Sequence, residues 1–171
     1  RQGKRIKEIP VTWGAIRMSA TGKSGDITTA ITKGAPEKIF PLCSGIGNAM
    51  FYYDRLAEEG LRVLAVAAKE LTQEDKEERR NLRLLGLIAI EDPERKEAKA
   101  AVKTCKQAGI TPVMITGDNP KTALAIAKRL GIAEENSTAI TGAQLDALSE
   151  NELKEQVKTA RVFARVSPEH K

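Results

Sequence analysis

Nowhere does this chain hold a run of about 20 apolar residues, the length that a membrane-crossing helix requires. Its best apolar stretch, Leu84 to Ile90, is the size of a strand. Only two cysteines occur, Cys43 and Cys105, too far apart in sequence for a C-x-x-C pair. They read as reduced thiols, which excludes a disulfide-stapled scaffold. A single histidine, His170, leaves no cluster of metal ligands to build a site from. Aromatic residues make up 4% of the chain, too few for an extended base-stacking surface. The sequence shows no signal peptide, internal repeat or low-complexity tract.

What is present is aliphatic and charged. Hydrophobic residues supply 41% of the 171 positions and charged residues 30%. That suits a helix-rich α/β protein with one substantial core or two small ones. A formal net charge of +5 favours anionic ligands such as nucleotide, nucleic acid or acidic lipid. The positive charge is spread along the chain, so nucleic acid is the weakest of these and is not expected as a partner.

Two textures follow one another. Residues 1–69 are β-rich with one helix. Ile16 to Ala20 and Ile27 to Thr32 read as strands joined by a hairpin turn over Thr21 to Gly25. Met50, Tyr53, Leu56 and Ala57 recur at helical spacing before Gly60, and Leu61 to Ala68 is a nearly continuous apolar strand interrupted by Arg62. The charged stretch Glu70 to Arg80 reads as a solvated connection or surface helix. From Leu82 onward strands alternate with helices, starting with a buried-type strand at Leu84 to Ile90. Further strands are expected over Thr111 to Thr116 and Val162 to Ala164, and helices over Ala98 to Ala108 and Pro120 to Leu130. Ser149 and Glu152 have capping-box spacing for another helix, and Ser167-Pro168-Glu169 opens a last one. Alternation of this kind predicts a parallel sheet with helical crossovers. Pro93 disfavours helical geometry at Asp92, which suggests a boundary between residues 1–91 and 92–171. The fold class is therefore α/β: a partial Rossmann-like parallel sheet with helices, plus a smaller β-rich α+β portion.

The stretch richest in chemistry is Val113-Met114-Ile115-Thr116-Gly117-Asp118-Asn119-Pro120. An apolar strand ends in a small polar turn, and a helix starts on a proline. Ligands of open α/β sheets bind at the carboxyl ends of strands, and a helix N-terminus favours phosphate. Thr116 can donate a hydroxyl, Gly117 admits close backbone approach, and Asp118 can hold a polar group or order a metal's water shell. Against this stands a plain capping role for Asp118 or Asn119. Gly22-Lys23-Ser24 is no P-loop, because Arg17 stands where the motif needs its first glycine.

Met114-Ile115-Thr116-Gly117-Asp118-Asn119, followed by Thr122-Ala123-Leu124-Ala125-Ile126-Ala127 and Leu130-Gly131-Ile132, resembles the phosphorylation domain of the P-type cation-transporting ATPases. Three more segments match in the same order: Lys33-Gly34-Ala35-Pro36-Glu37, Asp92-Pro93-Glu94-Arg95 with Glu94 where that family has a second proline, and Phe163 through Lys171. The calcium-pump-like branch is the best match. The resemblance implies a haloacid-dehalogenase-like fold, with residues 1–91 as the C-terminal part of a nucleotide-binding domain and 92–171 as part of a phosphorylation domain. It implies ATP as ligand and Mg2+ as cofactor of the parent, with the magnesium ligands outside this chain. The parent would sit at the cytosolic face of a membrane, with its remaining cytosolic and membrane domains as partners. The family's Asp-Lys-Thr-Gly-Thr nucleophile motif and its Gly-Asp-Gly magnesium motif do not occur here, so the chain reads as a soluble piece, inactive alone.

Carried over residue by residue, the resemblance assigns Lys33 and Gly34 to the adenine pocket and Arg62 to the nucleotide phosphates. Thr116, Gly117, Asp118 and Arg165 fall at the nucleotide and phosphoryl site, with Thr116, Asp118 and Lys171 as catalytic residues. Lys171 would balance the charge of the phosphoryl group. No metal ligand is assigned. The pattern departs at Val11, Trp13, Ala15 and Ile16, where the family carries its adenine-stacking Phe and basic residues. Two other readings remain open from the residues: a non-enzymatic phosphate- or nucleotide-binding α/β module, and a stand-alone phosphatase of the haloacid-dehalogenase type.

Overall fold

The computed structural model describes residues 4–9, 17–24, 27–72 and 80–170; the departures at Val11, Trp13, Ala15 and Ile16, and Lys171, lie outside them. The chain groups into two compact units, one of Arg1–Tyr53 with Val63–Ala89 and one of Asp54–Arg62 with Ile90–Lys171.

The first unit is built on a five-stranded sheet whose spatial order is the chain order, β1 Lys4–Ile9, β2 Arg17–Ser24, β3 Ile27–Gly34, β4 Arg62–Leu71 and β5 Arg83–Ile90. Strands β1 to β4 pair antiparallel. The β2–β3 hairpin is tighter than the sequence suggests. Thr21 to Ser24 pair within the ladder, down to Ser24 opposite Ile27, and only positions 25 and 26 remain to link the strands. In β4, Val63, Ala65 and Ala67 are buried while Leu64 and Val66 are half-buried, the alternation of a strand with one face on a core. Ile39 of the short helix α1 Pro36–Ile39, Phe40, Tyr53 of α2 Ala49–Glu58 and Leu82 are buried too, with Phe40 and Tyr53 edge to face at 6.2 Å. Leu82 is clipped at both ends of its peptide, donating to Leu42 O at 2.9 Å and accepting from the Ser44 amide at 2.9 Å.

Strand β5 corrects one expectation. A fully buried strand is expected at Leu84 to Ile90, but Leu85, Ile88 and Ile90 are exposed. β5 lies at the edge of the first sheet, next to β4, and so is not a central parallel strand. An apolar run fixes strand formation without saying which layer will cover it.

The second unit holds a parallel sheet in the order β6-β8-β7, with β6 Met114–Ile115, β7 Ala139–Thr141 and β8 Val162–Ala164. Among the described residues β6 pairs on one side, with β8, and its ladder is shorter than the expected Thr111 to Thr116. Helices α3 Ala98–Gln107, α4 Pro120–Leu130, α5 Gly142–Asp146 and α6 Glu150–Thr159 accompany it. Ala123 and Ala127 of α4 pack with Ile132, Ala133, Val162 and Ala164 in the central cluster. These small side chains let the helix lie close on the sheet. The second unit also takes in the C-terminal turns of α2 Ala49–Glu58, a helix closed by Gly60 at φ +81°.

Candidate functional site

The ladder between β6 and β8 continues past its last paired residues. The Thr116 amide donates to Phe163 O at 2.9 Å, and the Val166 amide donates to Thr116 O at 3.3 Å. Thr116 therefore leaves the carboxyl end of its strand in a fixed direction. Its hydroxyl accepts from the Asp118 amide at 3.1 Å and donates to Asp118 Oδ2 at 3.0 Å, closing a compact turn.

Capping of α4 falls to the neighbouring residue. Asn119 Oδ1 accepts from the Lys121 amide at 2.8 Å, with Pro120 at the first helical position and Gly131 in the left-handed conformation at the far end. Asp118 is thus not needed as a cap. Its other oxygen, Oδ1, lies 3.3 Å from Nε of Arg62.

Arg62 and Asp118 stand 56 positions apart in sequence yet form one ion pair, with Arg62 62% and Asp118 29% exposed. A pair this open to water is worth at most about 1 kcal/mol. It does little for stability, and the guanidinium is accessible from solvent. Arg165 reaches the same turn from the end of β8, donating from Nη1 to Gly117 O at 2.9 Å and from its amide to Asp118 O at 3.1 Å. It does so with φ +51°, a left-handed conformation uncommon for a non-glycine residue. A Cβ built on Gly117 would meet nothing within 4 Å. No neighbour among the described residues accounts for the glycine, and the space beside it is open to them.

Arg62, Thr116, Gly117, Asp118 and Arg165 therefore gather around one turn. Lys33 and Gly34 belong to the first unit, where they end β3 opposite Val66 and Ala65; Lys33 is exposed and Gly34 buried.

Sequence reasoning overlooked a ring of ion pairs around α4. Lys121 Nζ lies 3.0 Å from Asp54 and 2.9 Å from Glu58, and these two carboxylates, Glu58 first, hold the ammonium above its usual range. Arg129 donates to Glu94 Oε1 at 2.8 Å from Nε and to Glu59 O at 2.8 Å from Nη1. The Glu94 carboxyl is held below its ordinary range by its own backbone hydrogen bond first and by Arg129 second. Partners this distant in sequence leave no local signal. Among the described residues no three of His, Cys, Asp and Glu cluster so as to hold a metal ion, and no helix is long and apolar enough to cross a membrane.

Residues 20–161 match the haloacid dehalogenase-like hydrolase family. A probable cation-transporting P-type ATPase of Mycoplasma genitalium is 42% identical over 152 residues, which cover 82% of this chain and 17% of that protein. Calcium-transporting ATPase 1 of Bacillus cereus is 38% identical and that of Lactococcus lactis 36%, each alignment covering 98% of this chain and 21% of the relative. The chain thus spans a minor part of the length of the curated relatives it matches.

Proposed function

The chain belongs to the haloacid dehalogenase-like hydrolases and, among them, to the P-type cation-transporting ATPases, and on that premise we propose that it supplies ATP binding and part of the phosphoryl-transfer site of such a pump. The observation that carries the proposal is the meeting of Arg62, Thr116, Asp118 and Arg165 at one turn beyond a parallel strand. Arg62 exchanges its exposed contact with Asp118 for phosphate oxygens of ATP, a planar donor meeting an anion. Lys33 and Gly34 border the adenine. Thr116 and the Gly117 backbone receive the phosphoryl group where the strand ends, Arg165 holds their turn in shape, and Lys171 balances the charge that transfer develops.

Magnesium, when bound in the parent, neutralises charge on the phosphoryl oxygens. Asp118 has a partner on each oxygen, and among the described residues no acidic cluster surrounds it. The described residues do not fit as a magnesium ligand set. The transported ion is calcium in this reading, following the names of the Bacillus cereus and Lactococcus lactis relatives. The remaining cytosolic and membrane domains of the pump are the chain's partners, and this segment works at the cytosolic face of the membrane.

Phosphoenzyme formation from labelled ATP tests the proposal. In the full-length pump, Lys33→Ala and Arg62→Ala each raise the ATP concentration for half-maximal labelling by roughly tenfold, the worth of one charged hydrogen bond. Thr116→Ala slows labelling by about a hundredfold, because the hydroxyl that donates to Asp118 Oδ2 turns to the phosphoryl oxygen when ATP binds. The isolated chain, which lacks Asp-Lys-Thr-Gly-Thr, takes no acid-stable label. Label on the chain itself, or unchanged ATP dependence in Arg62→Ala, overturns the assignment.

A further inference from the structure

The loop after β8 is fastened at two places. On one side Val166 and Arg165 bond to Thr116 O, Gly117 O and Asp118 O, as described above. On the other, the chain's one histidine joins it to α5. His170 Nδ1 accepts from the Ser167 amide at 2.9 Å and lies 3.2 Å from Ser167 Oγ, while Nε2 lies 2.8 Å from Asp146 Oδ1. An amide can only donate, so Nδ1 carries the lone pair and Nε2 carries the proton that Asp146 accepts. The ring also has a tight neighbour. A Cβ on Gly142 would come within 2.9 Å of His170 Cε1 and 2.6 Å of Arg165 O. Gly142 and Asp146 are four residues apart, hence on one face of α5, and both meet the imidazole.

Ser167-Pro168-Glu169-His170 has the spacing of a capping box, with imidazole where glutamate or glutamine is usual. A cap needs only the contact to the Ser167 amide. The second contact, to α5, has no part in capping. Nor is the array a nucleophilic triad, because the Ser167 amide already uses the Nδ1 lone pair that would activate the hydroxyl.

We propose that His170 is a positioning residue, whose Nε2–H tautomer ties Asp146 of α5 to the Ser167 amide and so fixes the loop carrying Arg165 against the Thr116–Asp118 turn. The path runs from α5 through the ring to Ser167, and from the adjoining Val166 to Thr116. The contact network rests on geometry alone, while its consequence for turnover rests on the phosphoryl-site reading above.

Two measurements separate these. In the 15N-labelled chain the single imidazole shows a protonated Nε2 and an unprotonated Nδ1 at neutral pH. Asp146→Ala shifts the amide resonances of Thr116, Gly117 and Asp118, and Asp146→Asn, which keeps an acceptor oxygen, leaves them near wild type. A proton on Nδ1, or no shift of those amides in Asp146→Ala, overturns the proposal. In the full-length pump Asp146→Ala lowers kcat by about tenfold to a hundredfold, the scale of small misplacements far from the chemistry, with the KM for ATP unchanged and Asp146→Asn rescuing. A fall confined to KM, or no change in kcat, overturns the functional half. Shifted amides combined with wild-type kinetics in Arg62→Ala and Thr116→Ala would uphold the network and refute the phosphoryl reading.

Discussion

At Gly142 the limiting factor is space. The residue opens α5 behind the Thr141 cap, whose hydroxyl accepts from the Gln144 amide. Its neighbours on the missing side chain's path are a backbone carbonyl at 2.6 Å and an imidazole already held by two partners. A backbone oxygen cannot rotate aside as a flexible side chain can. Gly142→Ala is therefore expected to destabilise the second unit by about 1–3 kcal/mol, the usual cost of overpacking. Urea unfolding checks it, and an unchanged midpoint would mean that the loop yields freely. Asp118 offers the contrast. Its pair with Arg62 is open to water, so its importance lies in where it holds charge. Sequence reading singled out Thr116 and Asp118 from strand-end position, but left the capping role shared between Asp118 and Asn119. Only the carboxylamide contact to Lys121 decides it.

At the scale of elements, the segment before α3 is held by charge where a second proline would have held it by ring geometry. Glu94 meets Arg129 on α4, with Nε at 2.8 Å and Nη2 at 2.7 Å from one carboxylate oxygen. The carboxyl is held below its ordinary 4.5. A depressed folded-state value adds stability above the unfolded value, and that stability is lost as pH falls through the folded one. Wild type is expected to lose this contribution below about pH 5, on top of the fall that carboxylates such as Glu152 give both chains, whereas Glu94→Gln has no such contribution to lose. Thermal melts of both chains between pH 7 and pH 3 check this; parallel curves would deny the carboxylate any role. Elements with local signals were legible in sequence. Helix α4 had its proline start and glycine stop, and α6 had Ser149 and Glu152, which form a reciprocal capping box. Strand β7 and helix α5 were missed, although Thr141 and Gln144 carry the same three-residue spacing. The signal was there but lay between short elements too brief for periodicity to register. The edge placement of β5 and the partners of Lys121 and Arg129 had no local signal, because each depends on residues brought together by folding.

For the molecule as a whole, residues 54–62 matter out of proportion to their length. They run from the last turns of α2 to the first residue of β4, yet group with Ile90–Lys171. Within that unit they supply Asp54 and Glu58 to Lys121, Glu59 O to Arg129, Leu61 O to the buried Thr122 hydroxyl at 3.0 Å, and Arg62 to Asp118. A piece cut at residue 90 would keep the parallel sheet and α4 but lose every one of these partners. Each exposed ion pair is worth at most about 1 kcal/mol, and the Thr122 hydrogen bond about 1 kcal/mol while it stays buried. Water can replace part of this once the segment is gone. Residues 90–171 alone are therefore expected to unfold about 1–3 kcal/mol more easily than the same unit in the whole chain, mainly through Thr122 and the paired lysine. Tryptophan cannot report this, since the chain's one Trp lies at position 13. Amide hydrogen exchange on Ala123 and Ala127, both fully buried, reports it directly. Equal protection in the piece and in the whole chain would show that residues 54–62 contribute nothing to the unit they contact. Slower exchange in the whole chain, abolished by Thr122→Val and Lys121→Ala together, would trace the stabilisation to those contacts.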